Sequence, residues 1–189
     1  MLGLVLLLAY ALGCLSPGWW LVRRATGGDV RAVGSGGTGA TNAARVLGAR
    51  QFALVLALDA AKAALAVILA SWLAPQSAWH ALALPAVVAG HIWPAPLGFR
   101  GGRGAGPLLG GCIALNPMFA AAAVVPAALT ALFTRRSFAI ALAATAGGVG
   151  SAWWLLTARE ERIAFCVAVA LVVLAHRAHF TKIRLRFAR

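Results

Sequence analysis

Residues 107–133 read PLLGGCIALNPMFAAAAVVPAALTALF, an apolar run interrupted near its middle by Asn116-Pro117. A membrane-spanning helix needs about 20 apolar residues, so the run is long for one crossing and short for two. An Asn-Pro pair is a turn signal, because proline drives the residue before it out of the helical region. Splitting the run there predicts two short helices, about 107–116 and 118–133. The remaining apolar stretches lie at about 2–22, 52–74, 80–98, 137–157 and 162–176. The chain therefore reads as an all-α polytopic membrane protein with about seven transmembrane helices, some of them short, in a single domain over 1–189. Six helices with a re-entrant segment is the alternative.

The basic residues favour seven. With that count, 14 of the 17 Lys and Arg fall on one side, in 23–51, 99–106, 134–136 and the tail from Arg177. Cytoplasmic segments carry the excess of Lys and Arg, which predicts an N-terminus outside and a C-terminus in the cytoplasm. With six helices, Arg135-Arg136 and the basic tail would conflict with that rule. Arg159 and Arg162 fall outside, and Lys62 falls within a helix. Residues 1–22 lack a positive leading segment and are followed by Arg23-Arg24, so they read as a retained first helix rather than a cleaved signal.

A composition of 62% hydrophobic and 11% charged residues excludes an ordinary soluble domain. The net charge of +13 belongs to the topology just described. No soluble nucleic-acid-binding module is visible, and no nucleic-acid partner is expected. Cys14, Cys112 and Cys166 sit in apolar runs without a CxxC pair. They predict neither a disulfide framework nor a metal site, and read as three small buried hydrophobes.

Two polar islands interrupt the hydrocarbon. The first is Gly34-Ser35-Gly36-Gly37-Thr38-Gly39-Ala40-Thr41-Asn42-Ala43-Ala44-Arg45. Glycine turns expose backbone N–H groups that can close around an anion, and an arginine adds a planar donor fork. If 39–50 is a helix, Thr41, Asn42 and Arg45 share a face, and its N-terminus favours an anion. A glycine-rich linker whose arginines touch lipid head groups fits the same residues. The second island is Gly101-Gly102-Arg103-Gly104, preceded by His91, Trp93, Pro94, Pro96 and Phe99. Its glycines would let a phosphate approach the backbone, Trp93 and Phe99 read as interfacial aromatics, and His91 reads best as a hydrogen-bonding strut.

Asp59 and Lys62 lie three apart in an apolar helix, where charges are costly and usually paired. A structural ion pair and a substrate contact by Lys62 both fit. At the end of the last helix, His176 and His179 are again three apart, suiting acid–base or phosphate-binding work better than a metal, which needs further ligands. A basic helix end held by anionic lipid is the alternative. No HxxxxD pair occurs, and Ser35 does not sit in a Gly-x-Ser-x-Gly elbow.

In order along the chain, these motifs resemble those of the bacterial acyl-phosphate:glycerol-3-phosphate acyltransferases, the PlsY family. Residues 34–45 are similar to its GSGNxGATNxxR motif, with Gly37 in place of asparagine. Residues 90–104 are similar to GHxFPxFxxFxGGKG, with Trp93 for phenylalanine and Arg103 for lysine. Asp59 to Lys62 resembles its DxxKG element with Ala63 for the glycine, and residues 13–17 and 28–31 resemble its N-terminal segments. The third motif, HRxNIxRL, keeps His176-Arg177 but has His179 for asparagine and Lys182 for arginine, and lacks the acidic ending.

The resemblance implies transfer of a fatty acyl group from acyl phosphate to the 1-hydroxyl of glycerol 3-phosphate, on the cytoplasmic side of the bacterial cell membrane. It implies no metal, no cofactor and no direct need for acyl-CoA or acyl carrier protein. It casts Ser35, Arg45, Arg103, His176 and His179 as catalytic. Gly36, Gly37, Thr41, Asn42, Lys62, His91, Gly101, Gly102 and Gly104 then bind substrate. Oligomeric state is not legible. The altered third motif leaves two further readings, an acyltransferase with another acceptor and a non-catalytic anion-binding or transport protein.

Overall fold

The computed structural model describes residues 1–75, 77–134 and 137–176. Arg135, Arg136 and everything from Arg177 onward, including His179 and Lys182, lie outside the described residues. Nine α-helices form among the described residues: α1 (Leu2–Cys14), α2 (Pro17–Thr26), α3 (Ala40–Leu47), α4 (Ala49–Leu73), α5 (Ala83–Ile92), α6 (Ala105–Leu115), α7 (Pro117–Phe133), α8 (Ser137–Leu155) and α9 (Arg159–Ala175).

The Asn-Pro split is present. Asn116 caps α7, its side chain accepting from the Met118 and Phe119 N–H groups, and Pro117 takes the first helical position, where its missing N–H is no loss. Other expectations change. The stretch 2–22 is not one helix but breaks at Leu15–Ser16, because Ser16-Pro17 starts a new helix and a lysine from α4 draws on the carbonyls at the end of α1. The stretch 80–98 yields only the ten-residue α5, framed by a 3-10 turn at Ala78–Leu82 and stopped before Pro94. Instead of a helix over 39–50, α3 ends at Gly48, whose φ of +93° no helix accommodates, and α4 begins directly after it. Cys112 is buried as expected, but Cys166 is exposed and Cys14 only partly covered.

Two stretches, 2–26 across the α1–α2 corner and Ala49–Leu73, are long and apolar enough to cross a membrane by length and composition. Large apolar side chains face outward instead of inward, among them Leu7 on α1, Trp72 on α4 and Trp153 and Trp154 on α8. Such an outward face suits lipid rather than water. The inner contacts use small residues. Gly13 and Gly90 meet where α1 crosses α5, with Gly90 Cα 2.9 Å from where a Gly13 β-carbon would sit. Gly110 of α6 rests directly on the Ala60 backbone of α4. Close backbone approach through small residues is how helices pack where apolar burial alone gives no drive. Phe119 and Phe165 pack edge to face at 4.7 Å beneath Cys112 and Leu156.

The connections gather at two ends. At one, the Asn116 side chain donates to Leu155 O (3.1 Å), and Arg162 donates to Leu156 O and Thr157 O. At the other, both glycine islands meet.

Candidate functional site

The first island hangs from the start of α3. Asn42 is buried and its Nδ2 donates to the carbonyls of Val30, Val33 and Gly37 at 2.8, 2.8 and 2.9 Å. Its Oδ1 accepts from Ser35 N (3.2 Å) and from an Arg45 guanidinium nitrogen (2.9 Å). The sequence places Asn42 among substrate contacts; the structure commits both ends of its amide to the loop itself. Ser35, Gly36, Thr41 and Arg45 remain exposed on the outer surface of the loop. Replacing Asn42 by Ala or Asp should lower acyl transfer and thermal stability alike, because either leaves three carbonyls without a donor, at about 1–3 kcal/mol for a buried group left unmet. Steady-state rates and an unfolding midpoint check this, and an Asp variant as active as wild type would show that the donors do not matter.

The second island folds back over α5. Gly101 N donates to Ile92 O (3.0 Å) and Gly102 N to His91 O (2.9 Å), closing the turn through Gly98 and Phe99, both at positive φ. The Tyr10 hydroxyl donates to Trp93 O (2.7 Å) and fixes the exit of α5 to α1. Gly102 lies flat against the His91 ring, leaving no room for a β-carbon before Nε2. Thr38 N donates to Gly101 O (3.3 Å), so the two islands share a direct seam. Gly104 then opens α6 beside Val172, one turn before His176 on α9. Three segments far apart in sequence therefore converge. The His176 Nδ1 donates to Val172 O (2.8 Å) and so fixes the ring at the end of α9.

Positive charge collects here without neutralisation. Burial, and then the neighbouring Arg45 charge, push the Arg103 guanidinium below its ordinary value. Two like charges are thus held near each other, at the N-terminal end of α6, where the helix dipole favours an anion. Among the described residues neither has a carboxylate partner: Asp29 pairs with Arg31 (2.7 Å) and Asp59 with Lys62 (2.8 Å), while Glu160 and Glu161 begin α9 at the opposite end. Among the described residues, no three His, Cys, Asp or Glu gather to hold a metal ion.

Lys62 and His91 lie inside the protein rather than on the loop surface. Lys62 is 7% exposed. Its Nζ donates to Gly13 O (3.1 Å) and Leu15 O and stands 3.0 Å from His91 Nδ1, which is itself 3.3 Å from Asp59 Oδ1. The ion-pair reading of Asp59 and Lys62 matches this geometry, and His91 sits where a strut for Gly102 would.

Sequence reasoning did not bring Asp29 and Arg31 to the second island, where the structure places them. Arg31 grips Asp29 through Nε and NH2 and donates through NH1 to Leu97 O (2.7 Å). The available signal was an acidic-x-basic triplet in a chain with only four acidic residues. Beside it, Cys14, Ser16, Trp19, Trp20, Pro96 and Leu97 border an apolar groove of about 280 Å³.

Comparison with known proteins adds three findings. The sequence profile of the family described as Glycerol-3-phosphate acyltransferase matches residues 3–185. Glycerol-3-phosphate acyltransferase 1 of Desulfitobacterium hafniense (strain Y51) is 42% identical over 169 residues, 89% of this chain and 84% of that protein. The glycerol-3-phosphate acyltransferase of Myxococcus xanthus (strain DK1622) is 39% identical over 188 residues, 98% of this chain and 97% of that one. Two crystal structures of PlsY (YgiH), an integral membrane glycerol 3-phosphate acyltransferase, share the fold. The glycerol 3-phosphate form gives a TM-score of 0.89 at 27% identity, and the lysophosphatidic acid form 0.87 at 25%; each match covers 97% of this chain and 92% of the other.

Proposed function

The chain belongs to the glycerol-3-phosphate acyltransferase family, and from that membership we propose that it transfers a fatty acyl group from acyl phosphate to the 1-hydroxyl of glycerol 3-phosphate. The products are lysophosphatidic acid and inorganic phosphate. The glycerol oxygen bonds to the acyl carbon, the bond from that carbon to the phosphate oxygen breaks, and the hydroxyl proton passes to the departing phosphate, with His176 orienting glycerol 3-phosphate for the transfer. Because acyl phosphate is already activated, the protein's task is alignment and charge stabilisation.

The observation that carries this reading is the seam between the two glycine islands, where Thr38 N donates to Gly101 O and the loops bearing Arg45 and Arg103 meet, neither arginine having a carboxylate partner among the described residues. Phosphates brought to this seam meet two cations not neutralised by a carboxylate of the described residues. Gly101 and Gly102 shape the turn, their N–H groups being committed to Ile92 O and His91 O rather than free for an anion. Arg103 and the start of α6 at Gly104 therefore meet one phosphate, while Ser35, Gly36, Gly37 and Thr41 contact substrate from the facing loop. Asn42, Lys62 and His91 hold those loops from within, while His179 lies outside the described residues. The acyl chain lies in the apolar groove beside Trp19 and Leu97.

The chain is an integral membrane protein, as its fold relatives are. Seven crossings in one domain, with the N-terminus outside and the site facing the cytoplasm, are supported by the two ends of the fold: the glycine islands and the end of α9 at one, Asn116 and Leu155 at the other.

The test is phosphate release by the purified, lipid-reconstituted protein given palmitoyl phosphate and glycerol 3-phosphate, with lysophosphatidic acid detected by mass spectrometry. Arg45→Ala should lower the rate by about a hundredfold or more, the usual cost of removing a donor from developing charge. Arg103→Lys should retain most activity and Arg103→Ala little, since lysine keeps the charge but not the fork. No lipid product from folded wild-type protein would reject the assignment of acceptor.

A further inference from the structure

We propose that Arg31 is a positioning residue for this reaction, a strap that holds the two glycine islands in register. The inference rests on the acyltransferase reading and concerns how its phosphate cradle is kept in shape. Asp29 begins a 3-10 turn at Val30–Ala32 and accepts from Arg31 N (2.9 Å), so the arginine is presented from a rigid turn. Nε lies 3.0 Å from each carboxylate oxygen of Asp29 and NH2 2.7 Å from one of them. That fork fixes the guanidinium plane and aims NH1 across the seam at Leu97 O (2.7 Å), with Arg100 O further off at 3.5 Å. Both carbonyls belong to the turn that leads into Gly101, Gly102 and Arg103.

Alongside the Thr38–Gly101 backbone bond, this gives a second bridge between the segment leading to Arg45 and the segment leading to Arg103. The same turn supplies Pro96 and Leu97 to the apolar groove, so one guanidinium touches both halves of the site. The pair is three-quarters to two-thirds covered (side-chain exposure 25% for Arg31 and 35% for Asp29). Hydrogen bonding from Arg31 holds the Asp29 carboxyl down at about 2. Its folded value lies below its ordinary one, so the strap is complete above ordinary carboxyl values and is lost only as pH falls through about 2. A lysine at 31 has a single point charge and cannot grip the carboxylate in two places while reaching Leu97.

The experiment compares wild type with Arg31→Lys, Arg31→Gln and the double variant Asp29→Asn/Arg31→Gln. A loose cradle binds phosphate poorly, whereas a smaller folded fraction lowers the maximal rate and leaves the Michaelis constant alone. Both Arg31 single variants should raise the KM for glycerol 3-phosphate by about tenfold, the loss of one charge-assisted hydrogen bond, with kcat within about threefold of wild type. That factor should stay constant across the neutral pH range. The double variant should stay close to Arg31→Gln, because the Arg31 guanidinium is the main partner of Asp29 and an asparagine at 29 keeps an oxygen for the backbone N–H at position 31. An unchanged KM in folded Arg31→Gln, or a loss confined to the maximal rate, overturns the proposal. Titration calorimetry with glycerol 3-phosphate makes the same comparison on affinity. A wild-type protein that binds the compound without acylating it would defeat the acyltransferase reading while the strap still stands or falls on the affinity change.

Discussion

Lys62→Met lowers the stability of the folded protein by about 3–5 kcal/mol, the cost of removing one partner from a buried ion pair. Asp59 would then keep His91, 3.3 Å away, as the remaining partner that the described residues show for a carboxylate 3% exposed in the middle of an apolar helix. The damage extends further than the pair. Lys62 also supplies donors to the Gly13 and Leu15 carbonyls, where α1 stops short of α2. Those carbonyls have no water to turn to inside a membrane. The corner between α1 and α2 should therefore loosen, and with it Trp19 and Trp20 at the apolar groove. Thermal unfolding in detergent, followed by tryptophan fluorescence, reads both effects. Asp59→Asn added to Lys62→Met should recover part of the loss, since it removes the stranded charge but not the orphaned carbonyls. An unfolding midpoint within a degree or so of wild type in the single variant would sink this account of the buried network.

Gly102→Ala reduces kcat/KM by about a hundredfold while leaving the protein folded. The added methyl would overlap Nε2 of His91. His91 is 2% exposed, and its other ring nitrogen stands against Lys62 and Asp59, so the ring has nowhere to swing. The turn must move instead, breaking the bond from Gly102 N to His91 O and displacing Arg103 from its place opposite Arg45. A displacement near 1 Å is enough for a loss of about this size where reacting groups must be aligned. His91→Ala in the same chain removes the obstacle, so the double variant should be more active than Gly102→Ala alone. Full activity in the single variant would show that the turn tolerates displacement and that the backbone of Gly102 does not shape the site.

How far the sequence carried depended on whether the deciding partner was local. Asn116-Pro117 announced its own break, because both the turn preference and the cap lie within four residues. The two glycine islands were visible as polar interruptions of an apolar chain, and the family motifs named their function. Leu15–Ser16 was harder: Ser16-Pro17 is a helix-start signal, but it lies inside an apolar run, and the lysine that completes the corner comes from position 62. Asn42 read as a substrate contact on a helical face shared with Thr41 and Arg45, yet the loop curls over it, a shape set by Gly34, Gly36 and the seam to Gly101. The role of Arg31 depends on Leu97, 66 residues away, and nothing in the local pattern of residues 29–31 states that distance. His179, the most divergent residue of the third motif, lies outside the described residues.

The corner between α1 and α2 also has an order in time. A chain is made from its N-terminus, so when α4 enters the bilayer, Gly13, Leu15 and Asp59 have already been synthesised, and only His91 is still to come. The lysine thus arrives to waiting acceptors and never has to rest in hydrocarbon as a bare cation. A gene that moved α1 to the end of the chain would deliver Lys62 with Asp59 alone beside it. Its insertion would then bear much of the roughly 2.5–3.5 kcal/mol that a charge at the centre of a spanning helix costs. The sequence of events at the ribosome is in this sense part of how the protein comes to hold a charge inside the membrane.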